Sequence, residues 1–151
     1  MTQELTRQGI FDTVTRHLFT QGIGASMGAQ ANHVCAYRGD GGTKCAVGVL
    51  IPDDLYDSSM DGGRGILVTT LVENFVKLAF LRPHLPLLMD LQAAHDDLDS
   101  RDDAGKSLPF NRTDLATRLH FVGMVYSLDV TLVKELAPEG WVYGSDAERA
   151  A

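Results

Sequence analysis

Four residues of the types that bind zinc are the first to consider for chemistry: His33, Cys35, Cys45 and His95. Thiolate and imidazole are usual zinc ligands, and gathered at one site they would suit a small metal-dependent hydrolase or nucleotide-binding enzyme. Nine residues separate the two cysteines, whereas common zinc sites use a short C-x2-C pair. The alternative is that the thiols pack in the core, since free cysteine is among the most buried residue types. We therefore expect no cofactor, with zinc at these residues as the alternative.

Three short motifs resemble catalytic or nucleotide-binding signatures without fitting them. His95-Asp96 is like the dyad of metal-dependent phosphohydrolases, but no further ligands stand at a suitable spacing. Gly105-Lys106-Ser107 resembles the end of a phosphate-binding loop, but Ser100 stands where that motif needs glycine. The glycines at 22, 24 and 28 miss the dinucleotide-binding spacing by one residue and follow a predicted helix rather than a strand. The sequence argues against an enzymatic function but does not exclude one.

Composition indicates one folded domain with an excess of acid. The chain has 151 residues, a hydrophobic content of 44% and a formal net charge of −7. A chain of this length forms one domain with its own core. The negative balance argues against direct nucleic-acid binding, which needs a basic surface. Much of the acid lies in 90–103, where 96–103 is interpreted as a solvated face, so the net charge says little about other surfaces.

The sequence predicts neither a signal peptide nor a membrane-spanning segment. Its first seven residues lack the apolar run of a secretory leader. The longest apolar stretch, 66–81, contains charged residues and is shorter than the roughly 20 residues that a spanning helix needs. We therefore expect a cytosolic protein that makes no membrane contact.

Helical periodicity predicts helices joined by polar loops. In the first helix, the apolar residues that share one face are Ile10, Phe11, Val14 and Leu18. Gly22 is a natural cap at its end, and Asn111 is a natural cap at the start of the fourth helix. The predicted helices cover 3–21, 66–81, 86–98, 112–128 and 130–136, and the predicted loops 22–32, 52–65 and 99–110. A single globular domain is predicted over 1–140 and a flexible C-terminal tail over 141–151.

Between the first two helices the pattern predicts a β-hairpin with strands over 33–38 and 43–51. The second strand is rich in Val, Ile and Leu, and Asp40-Gly41 is a favoured two-residue turn. With that turn Cys35 and Cys45 would point to opposite faces, whereas a three-residue loop with a bulge would place them opposite each other. The predicted fold class is α+β, a helical cluster of four to five helices with a small antiparallel β-hairpin packed on it.

The hairpin carries a resemblance to a known family. Its residues Cys35-x-Tyr37-Arg38 and Gly42-x-Lys44-Cys45-Ala46-Val47-Gly48-x-Leu50-Ile51-Pro52-Asp53 resemble a run in a family of small, uncharacterised bacteriophage and prophage proteins. Flanking similarities are Ile10-Phe11-Asp12, His17-Leu18, Gln21-Gly22, Leu88-x-x-Leu91-Gln92 and His95-Asp96. That family has no assigned activity. The resemblance implies a phage origin, and with it the host bacterial cytoplasm as the location.

By this resemblance we expect a phage accessory protein that binds a host protein and inhibits or modulates host machinery, defence systems included. Tyrosine and arginine are enriched at interface hot spots, which favours the hairpin and its neighbourhood as the binding surface. The candidate binding residues are Tyr37, Arg38, Asp40, Lys44, Asp53, Asp54 and Tyr56. The alternative for Arg38 and Lys44 is a solvated strand end. Association between copies is a further possibility, because 112–128 carries more apolar surface than one face can bury.

Overall fold

Helices dominate the computed structural model, which describes residues 5–22, 37–39, 42–61, 68–96, 98, 103–104 and 111–143. The α-helices are α1 (Arg7–Gln21), α2 (Val68–Asn74), α3 (Leu85–Asp96), α4 (Arg112–Val125) and α5 (Thr131–Leu136). The 3₁₀ segments are Gly48–Leu50, Ser58–Asp61 and Val76–His84. Across these described residues, every helix falls short of the length and apolar character that a bilayer span needs.

Helix α1 runs through the middle of the fold and contacts α3, α4, α5 and the Gly48–Leu50 segment. The Thr6 hydroxyl accepts a hydrogen bond from the Gly9 amide at 3.0 Å and caps the start of α1. Gly22 ends the helix in the left-handed region, at φ 72°, as predicted. The predicted apolar face of α1 is fully buried, and Thr15 and Phe19 are buried with it.

The prediction of a single helix over 66–81 is wrong beyond Asn74, where α2 ends. The chain breaks at Phe75, where φ is −115° and ψ is 96°, and continues as a 3₁₀ helix over Val76–His84. Pro83 lies inside the 3₁₀ segment, which leads directly into α3 at Leu85. The break lets Leu78 and Leu81 join α2 in the core while the residues between them stay exposed.

Helices α4 and α5 form where they were predicted, and a side chain binds the backbone at each start. The Asn111 side chain accepts from the amides of Thr113 at 2.9 Å and Asp114 at 3.2 Å. Asp129 accepts from the Thr131 amide at 2.8 Å at the start of α5. Helix α4 ends at Val125, earlier than expected, and packs against α1, α3 and α5.

The prediction of an α+β fold is wrong. Among the described residues there is no β-strand, only an isolated antiparallel bridge between Arg38 and Lys44. This pairing departs from both expected registers, and it puts Cys45 opposite Tyr37, whose carbonyl accepts from the Cys45 amide at 3.2 Å. The first strand's residues 33–36 and the turn residues 40–41 lie outside the described residues.

The apolar run expected as the second strand is instead a buried turn over 45–51. Cys45, Ala46 and Val47 are completely buried, and the Val49 amide donates back to the Cys45 carbonyl at 3.2 Å. A short apolar run suits a buried helical turn as well as a strand, so periodicity could not separate the two. Gly48 makes the turn possible, since a Cβ there would lie 1.9 Å from the Tyr37 carbonyl oxygen.

The chain after α5 contacts α4 through two aromatic residues, Trp141 and Tyr143. The Trp141 indole donates to the Thr117 hydroxyl at 3.2 Å, and the Tyr143 ring stacks on His120 with centroids 4.4 Å apart. The predicted boundary between domain and tail at 140–141 stays a prediction. The remainder of that predicted tail, 144–151, lies outside the described residues, as do the predicted loop residues 23–32 and most of 99–110.

Candidate functional site

Arg38 lies at the centre of a cluster of candidate binding residues. Its Nη2 donates to the Ile51 carbonyl oxygen at 2.7 Å, and its Nη1 lies 2.8 Å from Oδ1 of Asp53. The Tyr56 ring stacks on the same guanidinium, whose central carbon is 4.4 Å from the ring centroid. Nζ of Lys44 is 3.8 Å from the same Asp53 oxygen. Two cations therefore share one surface carboxylate.

Asp61 fixes this cluster from its inner side. Oδ1 of Asp61 accepts from the Tyr37 amide at 2.7 Å, and Oδ2 accepts from the Arg38 amide at 3.1 Å. The Tyr56 hydroxyl donates to the same Oδ2 at 2.5 Å. One carboxylate thus positions both the backbone that carries Arg38 and the ring against which its guanidinium stacks.

The two ends of the Arg38–Asp53 ion pair differ strongly in exposure. The Arg38 side chain is 18% exposed, whereas that of Asp53 is 84% exposed. A solvent-exposed ion pair contributes about 0–1 kcal/mol, because water competes for the charges. The protein interior therefore sets the position of Arg38, and Asp53 is a partner that another carboxylate can replace at little cost.

Seven residues were candidates for binding, and the structure places them in different environments. Those that meet in the cluster are Arg38, Lys44, Asp53 and Tyr56. Tyr37 is only 5% exposed, so its backbone belongs to the cluster while its ring lies in the core. Asp54 is exposed and makes no ion pair with a described residue. Asp40 lies outside the described residues.

The hydroxyls of Tyr56 and Tyr37 are held in their protonated form. Burial raises the pKa of Tyr56 above its ordinary value of 10.0, and its hydrogen bond to Asp61 raises that pKa further. Burial also raises the pKa of Tyr37. Both groups are therefore neutral at physiological pH. Tyr56 serves as a hydrogen-bond donor to Asp61 and as a stacking surface for Arg38.

Side chains from α1 and α3 hold the backbone that leads from the cluster into the buried turn. Gln21 donates to the Lys44 carbonyl at 2.9 Å and accepts from the Lys44 amide at 2.8 Å. His17 donates from Nε2 to the same carbonyl at 2.9 Å. On the α3 side, Gln92 accepts from the Val47 amide at 3.0 Å. These three side chains lie in segments quoted for the phage-family resemblance. Their hydrogen bonds hold the backbone at the start of the turn.

The residues considered as zinc ligands are only partly described. Cys45 is fully buried, its Sγ accepts from the Gly48 amide at 3.3 Å, and burial raises its thiol pKa. A protonated thiol in an apolar setting is a poor metal ligand. In the part of the chain that the structure describes, no three His, Cys, Asp or Glu side chains are grouped to hold a metal. His33 and Cys35 lie outside it, so a site joining them to Cys45 and His95 stays a hypothesis.

Sequence reasoning missed the residues that position Arg38. Asp61 falls within the predicted loop 52–65, where nothing in the sequence distinguishes it from Asp53 or Asp54. The Ile51 carbonyl is a backbone group, which no side-chain pattern can reveal. Gln21 and Gln92 lie in segments quoted for the predicted phage-family resemblance, which assigns no partner to either side chain.

Comparisons with protein-family models, with curated proteins and with solved structures found no match. The likeness to the phage and prophage family therefore stays at the level of the quoted residues. The function of the cluster has to be argued from its own geometry.

Proposed function

We propose that this chain is a phage-type accessory protein that binds a host protein through the Arg38 cluster and thereby inhibits or modulates host machinery. Interference with a host defence system is one form that this modulation takes. The phage origin rests on the sequence resemblance over 35–53, and the binding function rests on the cluster. The observation that supports it most is the Arg38 guanidinium, held between a backbone carbonyl and an aromatic ring and paired outwards with an exposed carboxylate.

Pre-organisation is what makes Arg38 suitable as a binding anchor. A free arginine side chain loses rotamer entropy when a partner immobilises it, which costs about 0.5–1.5 kcal/mol. Here the contacts to Ile51 and Tyr56 impose that cost during folding rather than during binding. Arginine and tyrosine side by side are the residue types that dominate interface hot spots.

The partner that fits this cluster presents a carboxylate. Such a group takes the place of Asp53 on Nη1 of Arg38 and keeps the nearby ammonium of Lys44 as a second contact. Because arginine binds carboxylates in a planar, directional way, the incoming acid must approach along the outer edge of the guanidinium. The exposed side chain of Asp53 moves away from that edge, and the partner's carboxylate binds there in its place.

The test is quantitative capture from bacterial lysate with the tagged full chain, followed by an affinity measurement on the purified captured protein. The wild-type chain is compared with the Arg38→Gln, Asp53→Asn and Asp54→Asn variants. We expect Arg38→Gln to lose the partner. Asp53→Asn removes the competing carboxylate and should raise affinity up to about fivefold, the equivalent of about 1 kcal/mol.

Asp54→Asn is the matched control, because it changes the same charge one residue away and breaks no ion pair with a described residue. It should bind like the wild type. Equal capture by the wild type and Arg38→Gln, or the same affinity change in the Asp53 and Asp54 variants, would overturn the proposal. Melting temperatures of all variants show whether a loss of capture reflects unfolding, and the Asp53 comparison stands even if Arg38→Gln is unstable.

A further inference from the structure

The outer face of α4 is an apolar surface that the described fold does not cover. Phe121 is 58% exposed, Met124 53% and Val125 57%, and they follow one another at helical spacing. Met89 on the neighbouring α3 is 47% exposed. Large apolar side chains grouped in this way mark an interaction surface, whereas single exposed ones do not.

A cleft of about 470 Å³ between α3 and α4 adjoins this face. Ala93, Val122 and Val125 supply apolar walls, and Asp90 and Arg118 stand among them as charges of opposite sign. Asp90 lies by the C-terminal end of α4, where its Oδ2 accepts a hydrogen bond from the Tyr126 hydroxyl at 2.5 Å. The face therefore has an apolar centre, with an acid towards one end of α4 and a base towards the other.

We propose that a second copy of this chain covers the α4 face, with the two α4 helices antiparallel across a two-fold axis at Phe121. In such an interface the same patch lies on both copies, so the patch must be complementary to itself. Two Phe121 rings then meet at the axis. Met124 and Val125 of each copy cover the α4 turn that precedes Phe121 in the other copy.

The charges of the patch match this arrangement and set its register. Arg118 precedes Phe121 by three residues, about 4.5 Å along the helix, and Val125 follows it by four, about 6 Å. Antiparallel packing therefore brings Arg118 of one copy to the end of α4 where Asp90 of the other lies. The two-fold axis repeats the pair, so one interface contains two Arg118–Asp90 contacts between copies. A parallel arrangement would set like charges against each other.

Sedimentation velocity over a micromolar concentration series tests whether the chain dimerises. We expect a reversible dimer in the wild type. Phe121→Ser should weaken dimerisation by at least about thirtyfold, the usual effect of losing a central hot spot. Phe80→Ser is the matched control, since Phe80 is 40% exposed but lies outside the cleft. A wild type that stays monomeric throughout, or one that dimerises equally well with Phe121→Ser, overturns the proposal.

A charge exchange between copies tests the register. Arg118→Glu and Asp90→Arg each place like charges together in their own homodimers, so each variant alone should be monomeric. Mixed in equal amounts they should form a heterodimer, because Glu then faces Arg at one contact and the native pair is restored at the other. Failure of the mixture to dimerise overturns the antiparallel register.

One further variant separates the charge of Asp90 from its hydrogen bond. Tyr126→Phe removes the hydroxyl that donates to Asp90 but keeps the carboxylate, and it should dimerise like the wild type. If the wild-type chain is monomeric and binds an amphipathic helical peptide at the cleft, another protein is the occupant and the proposal is wrong. Phe121→Ser should still capture the partner of the Arg38 cluster, so this inference and the proposed function can fail separately.

Discussion

Gln21 pairs with Lys44 as a neighbouring strand would, accepting from its amide at 2.8 Å and donating to its carbonyl at 2.9 Å. A single side chain thus satisfies the backbone donor and acceptor of one residue, 23 positions along the chain. Among the described residues, the other edge of this segment pairs with backbone only at the isolated bridge between Lys44 and Arg38. A side chain of helix α1 therefore makes the hydrogen bonds that the backbone of a neighbouring strand would have made in the predicted β-hairpin.

Replacing Gln21 with methionine should lower the free energy of unfolding by about 2 kcal/mol. Methionine keeps the length of the side chain but leaves a partly buried amide without a partner, and such a group costs about 1–3 kcal/mol. Urea denaturation monitored by circular dichroism gives the difference from the wild type.

Gln8 offers the matched control for this variant. It clamps Asp129 in the same way, donating to its carbonyl and accepting from its amide at 2.9 Å each, but in an exposed position. Water replaces both bonds there, so Gln8→Met should cost less than about 1 kcal/mol. Equal losses in the two variants would show that the partial burial of Lys44 does not matter.

The stability of the fold should decrease as the pH falls, in part through His17. Burial lowers the pKa of His17 below its ordinary value of 6.5, and the nearby Lys44 charge lowers it further, against a raising effect of the hydrogen bond to the Lys44 carbonyl. The unfolded chain therefore binds the proton first. The contribution of neutral His17 is fully present above pH 6.5 and is lost as the pH falls from there through the lowered folded-state pKa.

Unfolding free energies of the wild type and His17→Gln, measured between about pH 8 and pH 5, isolate this contribution from the other histidines. Glutamine donates a hydrogen bond but does not titrate in this range. We expect the wild type to lose more stability than the variant on acidification. Parallel curves for the two proteins would show that His17 titrates alike in the folded and unfolded chains.

Gly48→Ala should destabilise the fold by about 3 kcal/mol or more. Its Cβ would lie 1.9 Å from the Tyr37 carbonyl oxygen, a backbone atom that cannot rotate away. Overpacking costs about 1–3 kcal/mol where side chains can adjust, and here they cannot. Gly42→Ala is the control: its φ is 78° with no described atom near the new methyl group, so only the left-handed backbone costs, about 1–2 kcal/mol. In thermal melts, Gly48→Ala should therefore lower the melting temperature clearly more than Gly42→Ala does. A similar decrease in both variants would contradict the clash.

Cys45 should be inert towards thiol reagents in the native protein. Its pKa is raised by burial, and the reactive thiolate is therefore absent near neutral pH. In a Cys35→Ser background, labelling of Cys45 by a chromogenic disulfide should proceed only at the rate of unfolding, and should be complete at once in urea. Rapid labelling of the native chain would show that the thiol is accessible and would support the hypothesis of a zinc site.

The helices could be predicted from the sequence where local signals agreed. Asn111 and Gly22 carry capping chemistry in their own residue types, and the apolar spacing in α1 fits one buried face. The break at Phe75 and the turn over 45–51 have no such local signal. The turn depends on a partner far along the chain, Gln92 for the Val47 amide, and tertiary contacts of this kind override β-propensity.

The candidate site was predictable only in its residue types. Arg38 and Tyr56 were chosen because such residues dominate interfaces, and the structure shows the contact that joins them. Their fixed geometry depends on Asp61 and on the Ile51 carbonyl, which come from a 3₁₀ segment and a turn that the sequence did not predict. A residue's type suggests what it can bind, but its position depends on the backbone beneath it.

The turn over 45–51 also has a consequence for the order of folding. Gln21 on α1 binds the Lys44 backbone just before the turn, 23 positions away, and Gln92 on α3 binds the Val47 amide within it, 45 positions away. Contacts so distant in sequence form late, because the entropy of closing the intervening chain is lost before the contacts are made. The Val47 amide should therefore exchange its hydrogen with solvent only when the whole molecule opens, which makes this small turn a reporter of global cooperativity.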